Sequence, residues 1–322
     1  MIERDKIAKL AKNIQAHAYK RGYVSAFTLA AYPVPSDEEV TLRITRECDG
    51  LVYGNAEVGS REALEALIDE LDGKADYIFV DSELKKNNIA PRNLKSTDSI
   101  LLSYNDMEVW VMSVLYTLLI CEPELNQKGV AIVDEAEFDP FSFSTSLSSK
   151  FYNYSKYVGT KSVLQDDFEA ALQRSEIIIG GEIYTGVITK DILAVARGNP
   201  VVVDAGIGTI TPEASEYARK NGLKMIRVDN RAAMAGTLFS LIQSHDLVTR
   251  VMGEGEINGV KIVAGGIVGE PGAVIVDSID NPTMVIGVAD GTGKVIYNPE
   301  NAEYKVNITK VTEALEKGLA NG

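Results

Sequence analysis

Apolar residues recur at Ile2, Ile7, Leu10, Ile14 and Ala18, a helical spacing that predicts a first helix over 2–21 with one buried face. Gly22 ends it, and 23–32 reads as a strand closed by Pro33 and Pro35. Ser36 followed by Glu39 is a capping-box pattern and predicts a helix running toward Glu47. A short strand is expected at 50–54. The next helix runs from Ser60 to Leu71, with Leu64, Leu67, Ile68 and Leu71 on one side. Segments 77–80 and 100–103 read as further strands. Helices alternating with short apolar strands imply mostly parallel pairing through helical crossovers.

Residues 105–121 are apolar nearly all round, which predicts a helix enclosed on several sides. Its longest apolar stretch, Val109 to Cys121, is 13 residues, and a membrane span needs about 20. From Gly129 a second series begins, with strands expected at 130–133, 161–164, 176–179, 201–204 and 224–228. The helices between and after them are expected from Asp139-Pro140 to about Tyr157, then at 167–174, 189–195, 211–221 and 232–245. Consecutive βα units of this kind form a Rossmann-like pattern. After Met252 the texture changes to short β segments at 260–264, 273–276, 284–288 and 294–297, with a hairpin signal at Asp290-Gly291 and a final helix at 308–319. The expected fold is α/β in two lobes, the second a Rossmann-like doubly wound parallel sheet, with a β-rich C-terminal extension. Domains are expected at 1–104, 105–250 and 251–322.

A chain of 322 residues suits more than one core. Its 32 Lys and Arg against 46 Asp and Glu, a net charge of −14, form no basic block of the kind that neutralises phosphates, which argues against nucleic acid as a partner. Cys48 and Cys121 make no CxxC pair and are expected to be small buried hydrophobes. The charged amphipathic N-terminus has no apolar signal region, so the expectation is a cytoplasmic protein with no membrane partner.

In an open parallel sheet, ligands lie beyond the carboxyl ends of the strands. The first such loop of the second lobe, Asp134-Glu135-Ala136-Glu137-Phe138-Asp139, has no glycine and four carboxylates, which would repel a pyrophosphate. It reads as a solvated surface loop, as a grip on the hydroxyls or sulfonium of S-adenosylmethionine, or as a place for a hard cation, and no geometry assigns a metal. The loops Gly180-Gly181-Glu182 and Gly206-Ile207-Gly208-Thr209 place glycines directly after apolar strands, where they let a ligand approach the backbone or serve tight turns. Asp134, Glu135, Gly180, Gly181, Glu182, Gly206, Gly208 and Thr209 are therefore the candidate cofactor contacts. Asp229, Asn230 and Arg231 are the candidate substrate contacts, with a surface salt bridge as the other reading of Arg231. Neither His17 nor His245 has a partner at a triad spacing, so no catalytic residue is assigned. Trp110 reads as core, and Lys85-Lys86 with Arg92 as a solvated turn.

The order GVAIVDEAEF, DDFEAALQRSEIIIGGE, GVITKDIL, NPVVVDAGIG and VDNRAAMAGTLFSLIQ resembles methylenetetrahydrofolate dehydrogenases, and shikimate dehydrogenases in layout, over about residues 105–245. That resemblance implies an oxidoreductase-like enzyme using NAD(P) on a small-molecule substrate. It is one of order and texture, since the glycine loop is absent and residues 1–104 show no equivalent of the catalytic lysine. VVVDAGIGTITPEASEY and AGTLFSLIQSHDLV are similar to segments of the pyridinol C-methyltransferase of iron-guanylylpyridinol cofactor synthesis, which implies S-adenosylmethionine in the same cleft. A non-catalytic binding subunit that lost the phosphate loop is the third reading. A homo-oligomer is expected, with the C-terminal β extension as an oligomerisation element or a return to the first lobe.

Overall fold

The computed structural model describes residues 4–31, 40–43, 45–82, 84, 98–134, 139, 142–161, 164, 167–181 and 186–319. They divide into two compact units, Met1–Leu238 and Phe239–Gly322.

The first unit holds two sheets. One is built from β1 (Val24–Ala31), β2 (Val40–Leu42), β3 (Arg46–Cys48), β4 (Leu51–Val58), β5 (Tyr77–Asp81) and β6 (Ile100–Tyr104), in the order β2-β4-β1-β5-β6 with β3 also on β4. β4, β1, β5 and β6 run parallel, while β2 and β3 are antiparallel to β4. Helix α1 (Arg4–Arg21) covers this sheet with Ile7, Ala11, Ile14 and Ala18, and α2 (Arg61–Leu71) with Leu64, Leu67, Ile68 and Leu71. Ser60 starts α2 by accepting the Ala63 N–H at 3.1 Å. Gly54 lets α1 come close: a Cβ there would lie 2.4 Å from the Phe27 ring and 2.9 Å from Ile14.

The helix expected from Ser36 toward Glu47 is not found, since 40–42 and 46–48 are strands. The capping pair itself lies outside the described residues. Val40, Thr41 and Leu42 favour a pleated surface, and β4 supplies one by pairing Val58, Glu57 and Ala56 with them. β4 also runs to Val58 rather than ending at Gly54.

The second sheet contains β7 (Gly129–Val133), β8 (Tyr157–Thr160), β9 (Ile177–Gly180), β10 (Val201–Asp204) and β11 (Met225–Arg227), all parallel, in the order β11-β10-β9-β7-β8. Six helices accompany it: α3 (Asp106–Cys121), α4 (Phe143–Phe151), α5 (Phe168–Arg174), α6 (Lys190–Val195), α7 (Pro212–Lys220) and α8 (Arg231–Asp246). Val130, Ile132, Ile177 and Ile179 pack with Val114, Leu118, Leu147 and Phe151 of α3 and α4. The alternate residues Ala131, Val133, Ile178 and Val202 pack with Ala171, Leu193, Ala214 and Ala218 of α5, α6 and α7. Both faces are covered, so this is a doubly wound, Rossmann-like sheet, and its strands are apolar throughout for that reason.

α4 stops at Phe151, short of the expected Tyr157, and the next strand is 157–160 rather than 161–164. The stripe Phe143, Leu147, Phe151 continues in sequence to Tyr154, but Tyr154 is 43% exposed. The chain turns there instead, with the Ser155 N–H on the Phe151 carbonyl.

The second unit has a five-stranded sheet of β12 (Gly253–Ile257), β13 (Val260–Ala264), β14 (Val274–Val276), β15 (Val285–Ala289) and β16 (Val295–Ile296), in that order. All its pairs are antiparallel except β13 with β14. This is the β-rich extension, and helix α9 (Ala302–Leu319) packs Val311 and Leu315 onto Ile262, Val274 and Val276. Asp290 closes the β15–β16 hairpin by accepting the N–H groups of Thr292 and Lys294. Cys48 is half-buried and Cys121 exposed, contrary to the buried pair expected, because Cys121 ends α3 at the surface. Among the described residues no helix is long and apolar enough to cross a membrane.

Candidate functional site

Both sheets of the first unit reverse their strand order. After β1 the chain pairs β4 on one side and β5 on the other; after β7 it pairs β8 on one side and β9 on the other. Open α/β sheets bind ligands beyond the carboxyl ends of the strands at such reversals.

At the second reversal the register aligns Val133 of β7, Gly180 of β9 and Asp204 of β10 in one row. Asp134, Gly181 and the loop Gly206–Thr209 follow directly, so these candidate residues share one rim. Glu135 and Glu182 lie outside the described residues. Asp134 is buried at 2% exposure. The glycines are set by packing: a Cβ on Gly180 would sit 2.3 Å from Thr209 Oγ1, and one on Gly181 would sit 3.0 Å from Ile132 and Ser144. Gly180→Ala is therefore expected to destabilise the protein by about 1–3 kcal/mol, read as a lower urea midpoint at unchanged slope.

A dinucleotide pyrophosphate in its usual pose needs open N–H groups at these turns. Here the Gly181 N–H donates to Val133 O at 2.8 Å. Asp204 receives the N–H groups of Gly208 (2.9 Å) and Thr209 (3.1 Å) and the Thr209 hydroxyl (2.9 Å). At the start of α4, the Ser142 hydroxyl accepts the Thr145 N–H and bonds the Ser144 and Thr145 hydroxyls. These four N–H groups are thus taken by the protein itself, and residues 135–138 of the turn after β7 lie outside the described residues. Between the Gly206 and Gly208 turns Ile207 is held at φ +60°, a conformation costly for a β-branched residue and common where function constrains the backbone.

Ile207 belongs to the wall of a cavity of about 760 Å³ between the two sheets of this unit. Tyr53, Asn55 and Glu57 face it from alternate positions of β4, Arg43 and Arg46 from the β2–β3 segment, and Trp110 from α3. Arg227, Asp229 and Asn230 face it from the carboxyl end of β11 and the entry to α8. Of the candidate substrate residues, Asp229 and Asn230 line this space. Arg231 does not, and bonds Asp229 through Nε (2.8 Å) and a terminal nitrogen (2.5 Å). That guanidinium holds the Asp229 carboxyl below its ordinary range. The salt-bridge reading of Arg231 is the one the geometry bears.

The sequence reading missed the first lobe's share of this wall; Trp110 packs against the core of the second lobe, as expected, and also lines the cavity. The available signal was the alternation Tyr53, Asn55, Glu57, which gives an otherwise apolar strand one polar face. Arg43 chelates Glu57 at 3.1 and 2.6 Å. Burial pushes the Tyr53 hydroxyl up to about 12, so it stays a proton donor.

Behind the wall is a second group the sequence reading missed. Asp81, at the end of β5, is 3% exposed and accepts the Asp106 N–H at 3.0 Å. Asp106 is half-buried as a residue, with its carboxyl packed inward beside the Trp110 side chain. The Tyr104 hydroxyl lies 3.4 Å from it. Burial first, and then the Asp81 charge, push the Asp106 carboxyl up to about 7. Thr28, near Tyr104, takes the Asn55 amide on its hydroxyl at 2.7 Å. A cluster around a near-neutral acid thus reaches the cavity at Trp110 and at Asn55. Among the described residues no group of three or more His, Cys, Asp or Glu is placed to hold a metal ion.

No family model matches the sequence, and no curated protein does. Among solved structures, the chain is similar to the bifunctional FolD methylenetetrahydrofolate dehydrogenase/cyclohydrolase of Campylobacter jejuni, at 14% identity over 75% of this chain and 96% of that one, TM-score 0.41. It is similar to a 5,10-methylenetetrahydrofolate dehydrogenase of the silkworm Bombyx mori, at 14% identity over 75% and 96%, TM-score 0.42. A third is a dipicolinate synthase subunit from Bacillus halodurans, at 15% identity over 68% and 78%, TM-score 0.34. The Rossmann-like character of the second sheet rests on its own strand order and its two helical layers.

Proposed function

We propose that the protein is an enzyme of oxidoreductase-like layout acting on a small molecule held between its two parallel sheets. One observation carries this reading: a cavity of about 760 Å³ lies between β4 of the first lobe and the carboxyl end of β11 in the second, with polar and aromatic side chains converging on it. NAD(P) is the cofactor this layout suggests, lying along the rim of Asp134, Gly180, Gly181, Gly206, Gly208 and Thr209, with substrate beside Asp229 and Asn230. Because the N–H groups of Gly181, Gly208 and Thr209 on this rim already bond within the protein, binding of the cofactor is expected to be weak. The chain's own residues orient the substrate: Tyr53 donates a proton to a hydrogen bond, Asn55 and Asn230 offer amides, and Trp110 offers an aromatic wall. Asp106, titrating near neutrality behind Trp110, acts by positioning the indole.

A thermal-shift panel tests the cofactor. NAD⁺ or NADP⁺ is expected to raise the melting temperature, since a ligand at 100 times its Kd stabilises by about 2.7 kcal/mol. A rise with S-adenosylmethionine and S-adenosylhomocysteine alone would replace hydride transfer by methyl transfer. No rise with any of the four would remove the adenosyl cofactor and favour the non-catalytic reading.

A further inference from the structure

We propose that the cavity binds a small molecule carrying two negative charges, clasped by Arg46 from the first lobe and Arg227 from the second. This deepens the reading above and rests on the cavity being the ligand site.

Five charged side chains line the space: Arg43, Arg46, Glu57, Arg227 and Asp229. The two acids are already matched, Glu57 by the chelating Arg43 and Asp229 by Arg231 from outside the lining. Among the described residues neither Arg46 nor Arg227 has an ion pair or a side-chain hydrogen bond; Arg46 feels Asp229 only through its longer-range field. Two guanidiniums, charged at any working pH, therefore face the cavity unmatched in a chain whose net charge is −14. Arg227 is solvent-exposed and Arg46 half-buried, and their joint positive field draws an anion against the charge of the whole. The neighbouring polar group points the same way, since Tyr53 keeps its proton and donates. A guanidinium presents a planar fork that matches a carboxylate or a phosphate with two parallel bonds. Trp110, Ile207 and Met234 leave apolar surface for a carbon skeleton between the two charges. Because the two arginines come from different lobes, a ligand that satisfies both ties the lobes together.

Trp110 is the only tryptophan of the chain and lines the cavity, so its fluorescence reports occupancy. The full-length protein is titrated at constant ionic strength with succinate and with inorganic phosphate, and with acetate as a single-charge control. A saturable change is expected with succinate or phosphate at concentrations at least tenfold below any response to acetate. A response to succinate alone assigns a dicarboxylate, and one to phosphate alone assigns a phosphate ester. Arg46→Gln and Arg227→Gln should each weaken it at least tenfold, and Arg46→Lys, which keeps the charge but loses the fork, by less. Arg219→Gln, on an exposed face of α7, should leave it unchanged. Melting curves of the variants show that each is folded. The proposal is overturned if neither dianion gives a saturable response, if acetate equals them, or if the two glutamine variants titrate like the parent. A nucleotide shift in the thermal panel without any anion response sinks the clasp and leaves the enzyme reading standing. The converse result does the opposite.

Discussion

Replacing Asp106 by Asn is expected to make the protein more stable at pH 8 and to remove a fall in stability that the parent shows between about pH 4 and pH 7. The folded carboxyl titrates near 7, pushed up first by burial and then by the Asp81 charge, with Glu57 adding to the effect. The neighbouring Tyr104 hydroxyl and Trp110 side chain pull the other way and do not offset it. In the unfolded chain the same group titrates near 3.9. A carboxyl raised on folding favours the folded state fully below the unfolded value. That contribution is lost as pH rises, and the loss is complete above the folded value. For Asp106 the difference corresponds to at most about 4 kcal/mol, spread over that window. Asparagine copies the neutral acid, keeping an acceptor beside Tyr104 and Trp110 and bringing no charge beside Asp81. Urea denaturation at pH 4.5, 6 and 8 checks it, and parallel pH dependences for parent and variant would refute the assignment. The Trp110 emission of the parent should also shift with a midpoint near 7, and that of the variant should not.

Asp204→Ala is expected to cost about 3 kcal/mol and to loosen one wall of the cavity. The carboxylate accepts three hydrogen bonds from Gly208 and Thr209, and Thr209 is fully buried. Truncation leaves the buried N–H and hydroxyl of Thr209 without their acceptor, while the exposed Gly208 N–H can turn to water, and a stranded buried donor costs about 1–3 kcal/mol. The same bonds close the turn that holds Ile207 at φ +60°. Once released, Ile207 relaxes toward negative φ and regains some of the 1–3 kcal/mol such strain stores, which keeps the loss below the sum of the three bonds. Denaturation midpoints measure the stability. Any anion that titrates Trp110 in the parent should bind Asp204→Ala more weakly, through Ile207. Unchanged stability would mean the loop does not depend on Asp204.

The alternation of strands and helices is written locally and was legible. Amphipathic stripes such as Leu64, Leu67, Ile68 and Leu71, and apolar strands such as 130–133 and 201–204, announce their elements because one side or both must leave water. The rim of Asp134, Gly180, Gly181 and Gly206 was legible too, since turns after parallel strands fall at one edge of a sheet. Local pattern misled where tertiary pairing outweighed it. A capping box pointed to a helix over residues that β4 recruits as β2 and β3, and an aromatic stripe lengthened α4 past its true end.

The cavity wall had no such signature. Arg46, Tyr53, Trp110 and Arg227 belong to separate elements of two lobes, and only the approach of those lobes makes them neighbours. The same holds for chemistry. Aspartate at position 106 is an ordinary first-turn residue by sequence, and becomes a near-neutral acid only because folding withdraws water from it and sets Asp81 beside it. Periodicity and turn chemistry act over a few residues, so the chain alone determined its layers and the edge at which their turns gather. Burial and electrostatic fields act through space, so the tertiary structure alone decided which side chains face the cavity and in what state of charge.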